Sequence, residues 1–230
     1  ADGMSEGEKE SQNLVPKAAA ARLSLYLRHL ESLRITGAAT ISSKELARAL
    51  GVTAAQVRKD LGYFGQFGFP GIGYKIENLI VEIRKILGTD RIWNVALVGY
   101  GSLGAALFRY RGFEKQGFRI SAIFDNNPAV IGQPVGGLLV KNITALAHAV
   151  AEGDISLGIM AVPAETAQEV ADALVFAGIS GIFNFAPVVL SLPENVAYVS
   201  IDLTVQLEQL SFHVKQLRED APFEDPGQDI

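Results

Sequence analysis

The residues with the most recognisable chemistry lie in the stretch NVALVGYGSLGAAL, Asn94 to Leu107. A run of small and β-branched apolar residues ends at Gly99, and glycines follow at 101 and 104 ahead of a helix-like segment. Glycine lets a backbone come into contact with a phosphate, and the N-terminus of the following helix offers free N–H groups and the positive end of its dipole. The turn Gly99-Tyr100-Gly101-Ser102-Leu103-Gly104 therefore reads as the cradle of a dinucleotide pyrophosphate. Asp125 adds to this reading, because it closes the strand-like FRISAIFD 21 residues beyond Gly104. An acid at that place in this fold accepts hydrogen bonds from the adenosine ribose hydroxyls. Asn126, Asn127 and Pro128 follow it instead of arginines that could pair with a 2′-phosphate, which favours NAD(H) over NADP(H).

A second set of residues suits a polyanion. In ISSKELARALGVTAAQVRKDLGYFG, Ile41 to Gly65, two short helices are expected around Gly51. Ser42 with Glu45 is a capping box for the first, and Thr53 with Gln56 repeats the device for the second. Ala54, Val57, Leu61 and Phe64 fall at helical spacing and should face a core, leaving Gln56, Arg58, Lys59 and Tyr63 on or beside the outer face. Arg and Lys can donate to guanine edges or phosphates, and Gln can pair with adenine. This is the pattern of a helix-turn-helix, with Ser43 and Lys44 of its first helix as further candidates for DNA contact. The following FGQFGFPGIGYKI, Phe64 to Ile76, reads as a β-hairpin, the wing of a winged helix, with Gly73, Tyr74 and Lys75 at its rim.

Other elements must hold these residues in place. AAAARLSLYLRHLESL, Ala18 to Leu33, and IENLIVEIRKILG, Ile76 to Gly88, both carry apolar stripes at helical spacing and should complete the first domain, with a boundary near Gly88–Arg91. Beyond it, the strand-like LGIMAVP and GIFNFAP flank the helical AETAQEVADALVFAG. Each ends in a Pro-containing loop, placing Val162 and Pro163 where the carboxyl ends of the strands meet the ligand. The expected fold is α/β: a winged helix-turn-helix over 17–88 and a Rossmann-type doubly wound parallel sheet over 89–201. A C-terminal helix over 202–219 has Leu203, Leu207, Leu210, Val214 and Leu217 in a heptad seam of about two repeats. It either packs on its own sheet or docks on a second subunit. Residues 1–16 and the acidic tail 220–230 are expected to be disordered.

Charge divides along the same lines. Residues 17–85 carry 11 Lys or Arg against 5 Asp or Glu, while residues 86–230 carry 8 against 16, within a chain of net charge −5. A basic block on an acidic remainder indicates two domains with different partners. The chain of 230 residues contains no cysteine, which excludes disulfides, iron–sulfur clusters and cysteine-based zinc sites, and its three histidines, at 29, 148 and 213, are scattered, so no metal is expected. No stretch approaches a membrane span, and a cytoplasmic location is expected. An NAD-dependent oxidoreductase with a regulatory N-terminal domain predicts turnover, but the residues after Asp125 are used up in completing the sheet and supply no evident acid or base. A regulator that senses a CoA thioester is a further reading. Asp125 speaks against it, because CoA carries a 3′-phosphate next to the ribose hydroxyl such a carboxylate binds.

The motifs QVRKDL with the YFG…FG…G-x-GY run, ALVGYGSLGAAL, IFDNNP and GIFNFAPVVL, spread from about Pro16 to Arg218, together resemble the Rex family of redox-sensing transcriptional repressors. The resemblance implies a homodimer joined by an exchanged C-terminal helix and a palindromic, A·T-rich double-stranded operator. It implies NADH and NAD⁺ as regulatory ligands, NADH releasing the operator and NAD⁺ competing, in a protein that is not an enzyme. By position it puts the pyrophosphate on Gly99–Gly104, the ribose on Asp125 and the nicotinamide near Asn184, Phe185 and Ala186. It also implies a switch set of Arg28, Tyr110 and Asp202, and makes Arg58, Lys59, Tyr74 and Lys75 the foremost DNA-contacting residues. The sequence departs from some relatives at Ser102, where they carry an arginine that would add charge at the pyrophosphate.

Overall fold

The structure is a computed structural model that describes residues 16–65, 67–69 and 73–219. The segments expected to be disordered, 1–16 and 220–230, lie outside the described residues except for Pro16, as does the tip of the wing. The chain divides into two compact units between Ile92 and Trp93.

The first unit begins with α1 (Lys17–Ile35), β1 (Thr40–Ile41), α2 (Ser43–Leu50) and α3 (Ala54–Gly62). It continues with β2 (Gly68–Phe69), β3 (Gly73–Lys75) and α4 (Ile76–Leu87). Ser42 and Glu45 form the reciprocal capping box of α2, and Gly51 ends that helix in the left-handed region at φ 67°. The short turn to α3 follows, giving the helix-turn-helix. Leu23, Tyr26, Leu27 and Leu30 of α1 make one core with Leu46, Val57, Leu61, Ile76, Leu79, Ile80 and Ile83, so the periodic apolar positions read from the sequence are the ones buried. One fully buried residue in this core is charged: Asp60, on α3.

The wing carries a strand that the sequence did not reveal. β1 pairs antiparallel with β3, which also pairs with β2, in the order β1-β3-β2. This pairing corrects the expectation for Tyr74. It lies opposite Ile41 on one side and Gly68 on the other, and its ring covers Gly68 so closely that a Cβ there would sit 2.8 Å from it. Tyr74 is therefore 9% exposed and belongs to the core instead of the rim.

The second unit comprises β4 (Trp93–Val98), α5 (Ser102–Arg109), α6 (Gly112–Lys115), β5 (Phe118–Asp125), β6 (Pro134–Val135) and β7 (Leu138–Asn142). α7 (Leu146–Gly153), β8 (Ile155–Met160), α8 (Ala164–Phe176), β9 (Gly181–Asn184), β10 (Ala197–Ser200) and α9 (Leu203–Glu219) follow. The sheet order is β10-β9-β8-β4-β5-β7-β6, with every pair parallel except β6 with β7. The six strands from β7 to β10 thus run outward in both directions from β4, the doubly wound order, and the order reverses between β4 and β8. Side chains alternate across the sheet. Ala96, Val98, Ala122 and Phe124 pack toward α7 and α8, whereas Val95, Leu97 and Ile123 pack toward Leu107, Phe108 and Phe113.

The helix α9 has no buried residue. Leu203, Leu207, Leu210, Val214 and Leu217 of the heptad seam are all exposed, as is Phe212, so within this chain the helix does not pack on its own sheet.

Candidate functional site

The glycine turn lies where the sheet order reverses, at the carboxyl end of β4. The Gly99 N–H donates to the Phe124 carbonyl at 2.8 Å, and the Ala161 N–H donates to the Val98 carbonyl at 2.8 Å, so the ends of β5, β4 and β8 are tied side by side. Gly99 adopts φ +92°, and a Cβ there would collide with the Ala161 carbonyl. A Cβ on Gly104 would collide with the Gly99 carbonyl, because α5 packs directly against the turn. Gly101, between them, faces open space. Two of the glycines are thus required by backbone packing, while the middle one leaves room for a group to approach, as a phosphate cradle needs. Gly101 is the N-cap of α5 and no side chain caps it, so the first N–H groups of that helix, beginning at the exposed Ser102, face the same opening. Leu103 is 36% exposed, and Tyr100 sets its ring edge-on to Phe108 at 6.4 Å between centroids.

Asp125 ends β5 beside this turn. Its Oδ2 accepts from the Tyr100 N–H at 2.6 Å and its Oδ1 from the Asn127 N–H at 2.8 Å. Two backbone donors therefore aim the carboxylate across the turn. An ionised carboxylate has about four acceptor sites, so two remain for the hydroxyls of a ribose. Val162 lies against the turn, its Cγ1 3.0 Å from where a Gly99 Cβ would be, and Pro163 is the N-cap of α8.

Asn184, Phe185 and Ala186 follow at the carboxyl end of β9, but the side chain of Asn184 is 0% exposed. Its Nδ2 donates to the Ala186 carbonyl at 3.0 Å and to the Val188 carbonyl at 3.3 Å, and its Oδ1 accepts from the Ala186 N–H at 2.8 Å. Tyr198 Oη and Ser200 Oγ also lie within hydrogen-bond distance of Nδ2. The amide is fully engaged in shaping its own loop, which leaves Phe185 as the half-buried side chain of this group. Its ring lies 4.5 Å from that of Phe183.

In the first unit, Arg58, Lys59, Lys44 and Lys75 are exposed, and the Arg58 guanidinium donates to Ser43 Oγ at 3.2 Å. Tyr63, directly after α3, is half-buried, and Gly73 adopts φ +83° where a Cβ would strike the backbone of Ile41. Gln56 departs from the capping box expected of it. Thr53 Oγ1 accepts the Gln56 N–H at 3.1 Å, but the Gln56 amide does not return to complete a capping box; it turns to Asp60. The switch candidates fall in both units: Arg28 is exposed on α1, Tyr110 is exposed with its ring edge-on to Phe113, and Asp202 caps α9 by accepting the Thr204 N–H at 2.8 Å. Among the described residues, no cluster of three or more His, Asp or Glu side chains could hold a metal, and no helix is long and apolar enough to cross a membrane.

Comparison with known proteins places both units. A family model described as "CoA binding domain" matches residues 90–188, and one described as "Putative DNA-binding protein N-terminus" matches residues 14–62. The redox-sensing transcriptional repressor Rex of Carboxydothermus hydrogenoformans is 48% identical over 88% of this chain and 97% of its own. That of Streptomyces griseus is 44% identical over 93% of this chain and 85% of its own. Among solved structures, RSP in complex with β-NAD⁺ and operator DNA superposes with a TM-score of 0.84 at 38% identity, covering 90% of this chain and 99% of that one. RSP in complex with β-NADH gives 0.81 at 37% identity, over 89% and 96% of the two chains.

Proposed function

The chain belongs to the Rex family of redox-sensing transcriptional repressors, and from that premise we propose how it works. It is a homodimer that holds a palindromic, A·T-rich operator while NADH is scarce and leaves it when NADH occupies the glycine turn, NAD⁺ competing for the same place. The observation that carries this reading is the juxtaposition of Gly99–Gly104 with Asp125 at the order reversal of the sheet, in a chain alike along nine-tenths of its length to RSP, which was crystallised with β-NAD⁺ and operator DNA.

In this reading, the pyrophosphate rests over Gly101 and the N–H groups of Ser102 to Gly104, with Tyr100 and Leu103 beside it, and the ribose hydroxyls donate to the free acceptor sites of Asp125. Val162, Pro163 and the loop of Asn184, Phe185 and Ala186 flank the nicotinamide, with Asn184 shaping the loop rather than touching the ring. A CoA thioester fits less well despite the match to the CoA-binding model, since its 3′-phosphate would face the Asp125 carboxylate. The nucleotide acts as a signal and is not consumed, so no hydride transfer is expected.

The first unit supplies Arg58, Lys59, Ser43, Lys44, Tyr63, Gly73 and Lys75 toward DNA. The exposed apolar seam of α9 supports the dimer, because such a stripe is unfavourable in water and is covered by docking on a second copy. Leu207→Glu with Leu210→Glu should therefore give monomers in sedimentation. Arg28, Tyr110 and Asp202 are the groups we assign to coupling the two domains. Since NADH and DNA favour different arrangements, each must weaken the other by the same factor.

The test is fluorescence anisotropy of a labelled palindromic operator at fixed salt, titrating NADH and then NAD⁺. Release by NADH and recovery with NAD⁺ is the expected result. An operator that stays bound at saturating NADH, release by CoA instead, or oxidation of NADH at 340 nm would overturn it.

A further inference from the structure

The charged group buried in the first unit has a role that neither the glycine turn nor the DNA-facing cations explain. Asp60 is 0% exposed, and its carboxylate accepts four hydrogen bonds. Arg22 Nε donates to Oδ2 at 2.6 Å and Arg22 Nη2 to Oδ1 at 2.8 Å, a bidentate fork. Tyr26 Oη donates to Oδ2 at 2.7 Å, and Gln56 Nε2 donates to Oδ1 at 2.8 Å. Each oxygen is thus doubly occupied, which uses the acceptor capacity of a carboxylate. Arg22 and Tyr26 stand one turn apart on α1, and Gln56 and Asp60 stand one turn apart on α3, so the cluster joins one face of each helix.

Such a cluster is a poor way to gain stability. Two well-packed apolar side chains in place of a buried ion pair are often as stable or more so. What a bidentate guanidinium–carboxylate pair provides is direction, because the fork matches the carboxylate in one plane and one orientation. α3 needs direction. It has nine residues, its buried apolar anchors are Val57 and Leu61, and apolar contacts alone tolerate a small rotation or slide. Asp60 is adjacent to Lys59 and two residues from Arg58, so a rotation of α3 swings both cations. The charge balance agrees with a fixed pair. Burial alone would raise the Asp60 carboxyl, but the bonds from Arg22, Tyr26 and Gln56 hold it below the usual carboxylate range.

We propose that Arg22, Tyr26, Gln56 and Asp60 form a latch that sets the rotation of α3 on α1, and that Gln56 is a positioning residue acting through Asp60 instead of a reader of bases. The proposal rests on the DNA-binding reading above. It predicts that Tyr26→Phe and Gln56→Ala each lower operator affinity by roughly tenfold, because losing one bond to the buried charge releases α3 until only about one molecule in ten holds it in the competent setting. Tyr26 is completely buried and can touch no DNA, so its effect reports the placement of α3. Because both variants spare the ion pair, they should remain folded by circular dichroism at the assay temperature.

The experiment measures anisotropy of the full chain on the operator and on its single-base variants, together with amide hydrogen exchange of the free protein. The latch predicts a uniform loss, with the order of preference among bases unchanged. It also predicts a sub-additive loss in the double variant and faster exchange across α3 with α2 unaffected. A Gln56→Ala loss confined to one base pair, or affinity and exchange that do not move in Tyr26→Phe, overturns it. Should the wild-type chain bind no operator, the functional reading fails, and hydrogen exchange alone then decides whether α3 is latched.

Discussion

Two aspartates, one in each unit, show how the same carboxylate can be spent in opposite ways. Asp60 is sealed in a core with every acceptor site taken by side chains of the same unit. Asp125 stands half-buried at a strand end, aimed by two backbone N–H groups and open to further donors. A saturated, buried carboxylate fixes structure, whereas an oriented and unsaturated one is available to a ligand. The contrast also separates what each should do when removed, since Asp60 leaves a charged guanidinium without its partner, whereas Asp125 leaves two backbone N–H groups at a strand end.

The largest effect is therefore expected at Asp60. Asp60→Ala leaves the Arg22 guanidinium without its partner beside an apolar core, and breaking a buried pair in this way costs about 3–5 kcal/mol. Arg22 keeps a partly exposed side chain and can recover some hydration, so the lower end of that range is expected for the first unit in urea denaturation. A loss below about 1 kcal/mol would mean that the ion pair is not what holds α3 to α1. Asp125→Ala should sharpen the contrast in the other direction. It should weaken NADH and NAD⁺ together, by roughly ten- to a hundredfold from lost charge-assisted hydrogen bonds, while stability falls by no more than about 1–2 kcal/mol from the two backbone bonds lost and ligand-free operator affinity stays unchanged, as calorimetry, urea denaturation and anisotropy would show. Loss of ligand-free DNA binding would make Asp125 a structural residue like Asp60.

Acid offers a milder way to break the same comparison. The folded carboxyl of Asp60 is held below its unfolded value, so the stability it contributes is present above about pH 4, the ordinary aspartate range. That contribution is lost as the pH falls through the lower folded value. Urea midpoints followed downward from pH 5 should fall in the wild type, and Asp60→Asn should flatten that slope. An unchanged slope would show that Asp60 is not the titrating group behind acid loss.

The two aspartates were not equally legible in the sequence, and the reason is physical. Asp125 announces itself because a dinucleotide site constrains backbone: glycines where no Cβ fits, a strand on each side and an acid at a set distance. The packing at Gly99 and Gly104 is that constraint made visible. Asp60 sits in QVRKDLG, where a charge next to Arg58 and Lys59 reads as one more outward-facing group. Its position held the signal. Residues 57, 60 and 61 form the inward stripe of α3, and a charge there requires a partner, which Arg22 and Tyr26 at spacing four on α1 supply. The capping box expected of Gln56 is not completed for the same reason: its amide goes to Asp60, and local spacing does not reveal a cluster built with Arg22, 38 residues away from Asp60 in sequence. Tyr74 was misjudged because β1 is two residues long and shows no alternation; only its pairing with β3 turns the ring inward. The strands β6 and β10 are hidden likewise, because they are two and four residues long and lie at the two edges of the sheet, so that their identity depends on the strands they join.

The smallest predicted effect sharpens the ligand side of the comparison. Asp125 gives the site one negative charge, and the opposite end of the cradle has the backbone N–H groups and dipole of α5, whose first side chain, Ser102, is uncharged. Ser102 is the first residue of α5 and is exposed, so an arginine there meets no packed neighbour and needs no rearrangement of the turn. Ser102→Arg should raise affinity for NADH and NAD⁺ alike, by about two- to fivefold, the gain expected of one solvent-exposed charge pair. The pyrophosphate is common to both ligands, so the operator response to their ratio should keep its midpoint while the absolute concentrations needed fall. Salt separates this from a gain in packing: screening over about 8 Å at 0.15 M should erase most of the advantage by 1 M. Titrations of both nucleotides at the two salt concentrations check it. A gain that persists at high salt, or that favours one oxidation state, would place residue 102 against the nicotinamide end of the ligand and reverse the orientation that Asp125 implies.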